Sequence, residues 1–235
     1  MRLRELADVG PFFALRTGDD PEGPGYLPLG EEAVRLRVET VAERLGTADR
    51  RVAASIAFQG IAGRLTSIAL GSAVLTGRVP DLAGGGLRWH PARSAPDDLL
   101  LPAPAALAPA ADPAGQAERI SAAVLHGLLV PLHHATRATT PVSARLLWGN
   151  AASSLAGSLR VLHIWCLEHN RPQDAEHALV LTRALFQDPL LCDTGTLRRT
   201  RGGPVFERRT CCLYYRVPGG GMCGDCVLRH PPRGR

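Results

Sequence analysis

The sequence predicts an α+β fold, a predominantly helical single globule with a small antiparallel sheet and a cysteine-rich segment at its C-terminal end. Three observations carry this. Apolar residues recur at helical spacing through most of the chain, as at Val34, Val38, Val41 and Leu45. A Gly- and Pro-rich stretch from 77 to 109 interrupts the helices and holds two short apolar runs. Four of the six cysteines crowd into one short C-terminal segment. With 235 residues and 45% hydrophobic content, the chain is long enough for one well-buried domain.

Taken in order, residues 1–30 mix Gly, Pro and acids and read as irregular. A helix over 31–45 follows, favoured by Glu31 and Glu32 at its positive end and closed by Gly46. Thr47 is the expected cap of a longer helix to about Leu75. Its apolar run is broken by Gln59 and Arg64, which marks a buried core helix rather than a membrane span. Residues 87–90 and 99–101 are the expected strands, and the Pro/Ala-rich stretch 102–112 a surface connection. Asp112-Pro113 starts a helix that Pro131 should kink or break, leaving His133 and His134 exposed. Thr140-Pro141 opens a helix to about His169, and Pro172 another ending near Asp188. Residues 190–204 read as a polar surface loop, and 205–208 as a strand entering the cysteine segment. The division drawn is a mostly helical body, 1–204, with the cysteine segment 205–235 packed on it.

The net charge is +5, and every one of the 27 basic residues is Arg. Arg holds planar anions bidentately and keeps its charge. The first residues lack the apolar core of a signal peptide, and no transmembrane segment is expected. The expected location is cytoplasmic, extending to a peripheral place on the inner face of the membrane.

Cys211, Cys212, Cys223 and Cys226 form the pattern C-C-x10-C-x2-C. Thiols gathered this closely normally hold a metal or a cluster. Four sulfurs suit either a tetrahedral zinc or an iron–sulfur cluster. Cys223-Gly-Asp-Cys226 is a chelating loop, but the adjacent pair Cys211-Cys212 would point to opposite faces of a regular strand. A two-iron cluster, wanting two thiolates at each end, accommodates such a pair more easily than one zinc ion. The Pro-Gly-Gly-Gly run before Met222 allows the chain to fold back.

This segment, with its Cys-Leu-Tyr-Tyr run and the Gly-Asp between the last cysteines, resembles the C-terminal signature of the ferric-siderophore reductase (FhuF-like) family. The helical stretch 147–154 is similar to that family less sharply. The resemblance implies a 2Fe-2S cluster on the four cysteines. It also implies one-electron reduction of a ferric siderophore, an iron–sulfur oxidoreductase activity. No phosphate-binding or dinucleotide glycine loop is evident, so the electron should come from another protein, such as a ferredoxin or a flavin reductase. Two other readings stay open, a non-catalytic iron–sulfur sensor and a zinc-stapled binding module. No helix-turn-helix signature stands out, and no nucleic acid is expected as a partner.

Arg208, Arg209, Arg216 and Arg229 flank the cysteines and are candidates to raise the cluster's potential or attract an anionic chelate. Tyr214 and Tyr215, taken as strand residues, either pack structurally or cover the cluster. Trp148, Asn150 and Ser153 sit at helical spacing and are candidates to line a pocket. His163, Cys166 and His169 share a helix face but read as incidental, and Cys192 has no partner motif.

Overall fold

Helix α2, Arg50–Thr76, is the element around which the rest packs. Most of its side chains from Val52 to Val74 are buried. It is the one candidate span among the described residues by length and mean hydropathy, yet 83% of its most apolar window lies inside the protein. The computed structural model describes residues 3–18, 24–110 and 112–228. Ahead of α2 stands α1, Glu31–Leu45, ended by Gly46 in the left-handed conformation as its sequence predicts. The cap of α2 is Asp49 rather than Thr47. Asp49 accepts from the Arg51 amide, and the Thr47 hydroxyl in turn accepts from the amide of Asp49.

The later helices are α3 (Pro113–Ile120), α4 (Val130–Thr139), α5 (Ala144–Glu168) and α6 (Pro172–Leu185). Asp112 caps α3 by accepting from the Gly115 amide. Pro131 does not break the chain's path. A π-helical stretch, Ser121–Leu129, joins α3 to α4 and closes with the Val130 amide on the Leu125 carbonyl. The wider turn loosens the backbone just where a proline ring would strike the preceding carbonyl. Thr140 closes α4 instead of opening α5, whose first residue is Ala144.

The small sheet is mixed rather than antiparallel throughout. Strands β1 (Arg16–Thr17), β2 (Leu27–Pro28), β3 (Arg88–Trp89) and β4 (Leu99–Leu101) lie in the order β1-β4-β3-β2, with β1 parallel to β4 and the other pairs antiparallel. β1 and β2 come from the stretch read as irregular, because two-residue strands carry no periodicity. The expected loop at 190–204 is also largely a strand. β5, Gly195–Thr200, pairs antiparallel with β6, Gly203–Arg208, across a two-residue turn. The division drawn at 204/205 therefore falls inside β6.

Arg64, which broke the apolar pattern of α2, is buried at 1% exposure and holds the N-terminal segment. Its Nε donates to Asp98 Oδ1 at 2.8 Å, Nη1 to the carbonyls of Pro11 and Phe12, and Nη2 to those of Ala14 and Pro96. The fork of five N–H groups is thereby fully used.

His133 is buried, not exposed. Its ring stacks on Trp148 at 5.1 Å and meets Phe58 edge-on, and among the described residues neither ring nitrogen makes a hydrogen bond of normal geometry. Burial, with Arg137 and His134 adding repulsion, pushes its pKa down to about 4. The fold therefore favours neutral His133 over its protonated form. As pH falls from about 6.5 toward about 4, the unfolded chain takes up a proton that the folded chain refuses, so stability declines by up to about 3 kcal/mol. Thermal melts across that window should show the decline in wild type and a flatter profile in His133→Leu.

Candidate metal centre and cavity

β6 delivers the chain to the cysteine segment, and helices α2 and α5 form the floor beneath it. These two helices run parallel, tied by polar pairs in matching order. Asn150 Nδ2 donates to the Ser55 carbonyl and hydroxyl, Ser154 to the Gln59 carbonyl, and Ser158 meets the hydroxyls of Thr66 and Ser67. Gly149 allows the close approach of the segment, since a Cβ there would lie 2.1 Å from Thr210 Oγ1.

The adjacent cysteines escape strand alternation through Leu213, whose φ of 68° turns the chain left-handed directly after them. A single 3-10 turn, Tyr214–Arg216, follows, so Tyr214 and Tyr215 are turn residues rather than strand residues. Each of the four sulfurs accepts from the amide two residues later. Leu213 N lies 3.3 Å from Cys211 Sγ and Leu228 N 3.4 Å from Cys226 Sγ, while Tyr214 and Asp225 serve Cys212 and Cys223. Such N–H groups stabilise thiolate charge.

The sulfurs of Cys212 and Cys223 stand 3.6 Å apart and share a hydrogen bond. That contact pulls Cys212 down to about 7 and pushes Cys223 up, so the first proton lost by the pair leaves Cys212. Burial pushes Cys211 up, partly offset by the Leu213 amide. Cys166 lies in the core, where burial pushes it up to about 11.

The loop between Cys223 and Cys226 is fastened to α5. The Asp225 carboxylate accepts from Ser153 Oγ at 2.5 Å and from Arg160 Nη1 at 3.1 Å. On the other side of the segment, Ser55 Oγ donates to the Cys212 carbonyl at 2.6 Å. Beside the cysteines opens a cavity of about 660 Å³ between α2 and α5. Phe12, Ile56, Val161 and Tyr214 supply apolar and aromatic wall, Gly60 and Gly157 supply room, and Cys212 and Cys223 form one side.

Residues 208–228, a span holding all four of these cysteines, match the FhuF 2Fe-2S C-terminal domain family. This C-terminal segment is similar to an FhuF-type 2Fe-2S domain. A curated relative, the ferric siderophore reductase of Escherichia coli (strain K12), is 32% identical over 103 residues, or 43% of this chain. The aligned stretch spans 37% of that relative's length.

The thiol arrangement fits the FhuF-type cofactor, a 2Fe-2S cluster. Among the described residues no three His, Cys, Asp or Glu side chains gather on one point as the ligands of a single ion do. Two irons bridged by sulfide take their thiolates in pairs, so the four sulfurs need not converge. The paired amides, the Cys212–Cys223 contact and the buried cation of Arg208 all suit a bound anion of this size.

The remaining candidates are distributed unevenly around this domain. Tyr214 and Ser153 line the cavity, whereas Trp148 is stacked on His133 and Asn150 is wholly buried beneath the segment. Arg208 is 1% exposed and does not face the cavity. Arg209 pairs with Asp193 at 3.4 Å and Arg216 with Asp49 at 3.0 Å, both away from the cavity wall. Arg229 lies outside the described residues. His163 is buried, and His169 stacks on Trp165. Sequence reasoning missed Ser55, Arg160 and the anchoring role of Asp225. A carboxylate inside a two-cysteine loop was a usable signal for Asp225, but Ser55 and Arg160 lie far off in sequence.

Proposed function

We propose that this protein is a ferric-siderophore reductase in which Cys211, Cys212, Cys223 and Cys226 hold the 2Fe-2S cluster and the adjoining cavity receives the ferric chelate. The observation that carries the reading is the cavity itself, of about 660 Å³, whose wall includes Cys212 and Cys223. A 2Fe-2S cluster bound there supplies one electron at a time. Everything else is the work of the chain. The apolar wall of Phe12, Ile56 and Val161 excludes water from a docked chelate, and Tyr214 offers a ring to its flat groups. Ser153 and Arg160 hold Asp225, which keeps the two-cysteine loop against the same wall.

The chelate brings its own oxygen ligands, so no side chain needs to bind iron directly. One electron, delivered by a protein donor such as a ferredoxin or a flavin reductase, converts ferric to ferrous iron. The oxygen ligands hold ferrous iron weakly, and release follows. The cytoplasm, which keeps thiols reduced until assembly, is the compartment we assign.

The test is anaerobic. Protein purified without oxygen, reduced and mixed with a ferric hydroxamate or catecholate siderophore should be reoxidised in step with the appearance of ferrous iron in a colorimetric trap. Reduced protein that stays reduced in the presence of every such chelate would exclude the activity.

Cavity filling separates docking from cluster loading. A Cβ added at Gly157 meets nothing within 4 Å, and the residue lies within α5. Gly157→Ala should therefore stabilise the fold by about 0.5–1 kcal/mol. Gly157→Leu should retain the visible spectrum while chelate reduction falls at least about tenfold, the low end of what overpacking a closed contact costs.

A further inference from the structure

Arg208 presents a chemical imbalance. Its side chain is 1% exposed, at the end of β6, and among the described residues no carboxylate pairs with it. Nη2 donates to Asn150 Oδ1 at 2.5 Å, while Nε and Nη1 have no partner among the described residues. An uncompensated buried cation is strongly destabilising, and unused buried N–H groups add to that cost. The surroundings nevertheless hold it firmly. Asn150 is fixed by the carbonyl and hydroxyl of Ser55, and that hydroxyl donates to the Cys212 carbonyl. The Arg208 amide donates to the Asp225 carbonyl within the loop between Cys223 and Cys226. A fixed cation with two idle donors, tied to both halves of the cysteine segment and acting electrostatically on Cys211, Cys212 and Cys223, suits an anion held by those cysteines.

We infer that Arg208 is the fixed counter-charge of the cluster, held in place by Asn150 and Ser55 so that its free N–H groups face the cluster's thiolate and sulfide sulfurs. It is a positioning and tuning residue, distinct from the cavity that would receive the chelate. The inference rests on the cluster being held by the four cysteines, and not on which chelate is reduced.

Two consequences follow, with opposite signs. In loaded protein, Arg208 offsets negative charge that grows on reduction, so removing the cation should lower the midpoint potential and speed loss of iron to a chelator. In apoprotein the same guanidinium is buried without an anion, so removing it should relieve a penalty.

The experiment compares wild type, Arg208→Met and Arg208→Lys, each as anaerobically reconstituted protein and as apoprotein. Spectroelectrochemical titration should give a lower potential for Arg208→Met and an intermediate one for Arg208→Lys. Iron loss to a strong chelator should be at least tenfold faster in Arg208→Met. The apoprotein melting temperature should rise in Arg208→Met, the reverse of its loaded form. Equal destabilisation of both forms with an unchanged potential would overturn the inference and leave Arg208 a structural residue. If Arg208→Met does not fold, solvent exchange of the Arg208 Nε–H in wild type decides. Slow exchange when loaded and fast exchange in apoprotein supports the counter-charge, and fast exchange in both refutes it. Wild type that takes up no cluster would instead refute the ligand assignment beneath it.

Discussion

Serine at any one of Cys211, Cys212, Cys223 or Cys226 is expected to bleach the protein, whereas serine at Cys166 or Cys192 leaves its visible spectrum intact. The distinction is structural. The first four sit in one segment, each sulfur receiving an amide two residues on, with Cys212 and Cys223 already in sulfur contact. Cys166 is sealed in the core with its thiol pushed up to about 11, and Cys192 is exposed with its thiol donating to the Pro189 carbonyl. Losing even an outer partner of a metal ligand costs about 10–100-fold in affinity, and losing a ligand should cost no less. Iron and sulfide counts on anaerobically prepared variants measure the effect directly. Loss of colour in Cys166→Ser equal to that in Cys212→Ser would mean that the ligand set is wrong.

The second large effect concerns Asp98. Replacing it with Ala strips the carboxylate from the buried guanidinium of Arg64, and breaking such a pair from one side costs about 3–5 kcal/mol. Arg64 also gathers the carbonyls of Pro11, Phe12 and Ala14, and Phe12 and Phe13 line the cavity. The damage should therefore reach chelate reduction as well as stability. Denaturant melts of the apoprotein give the stability loss free of any cluster contribution. Asp98→Glu, which keeps the charge on a longer arm, should recover part of it. A melt shifted by less than about 1 kcal/mol would show that solvent reaches Arg64 and that the pair is a surface one.

The sequence by itself determined the helical body, the boundary of α1 at Gly46 and the four-thiol segment. Each of these is a local matter of apolar spacing, a glycine free to turn left-handed, or cysteine separation. It missed β5 because Leu197-Arg198-Arg199-Thr200 forms a strand only by pairing with β6, and its side chains are mostly exposed. Tertiary structure alone decided which polar groups serve the cysteines. Ser55, Asn150, Ser153 and Arg160 lie 65 or more positions from the residues they hold at 212 and 225, except where Asn150 meets Arg208 across 58. No periodicity links residues that far apart. They meet because α2 and α5 run side by side beneath the cysteine segment, and a buried polar group must find its partner wherever the packing brings one.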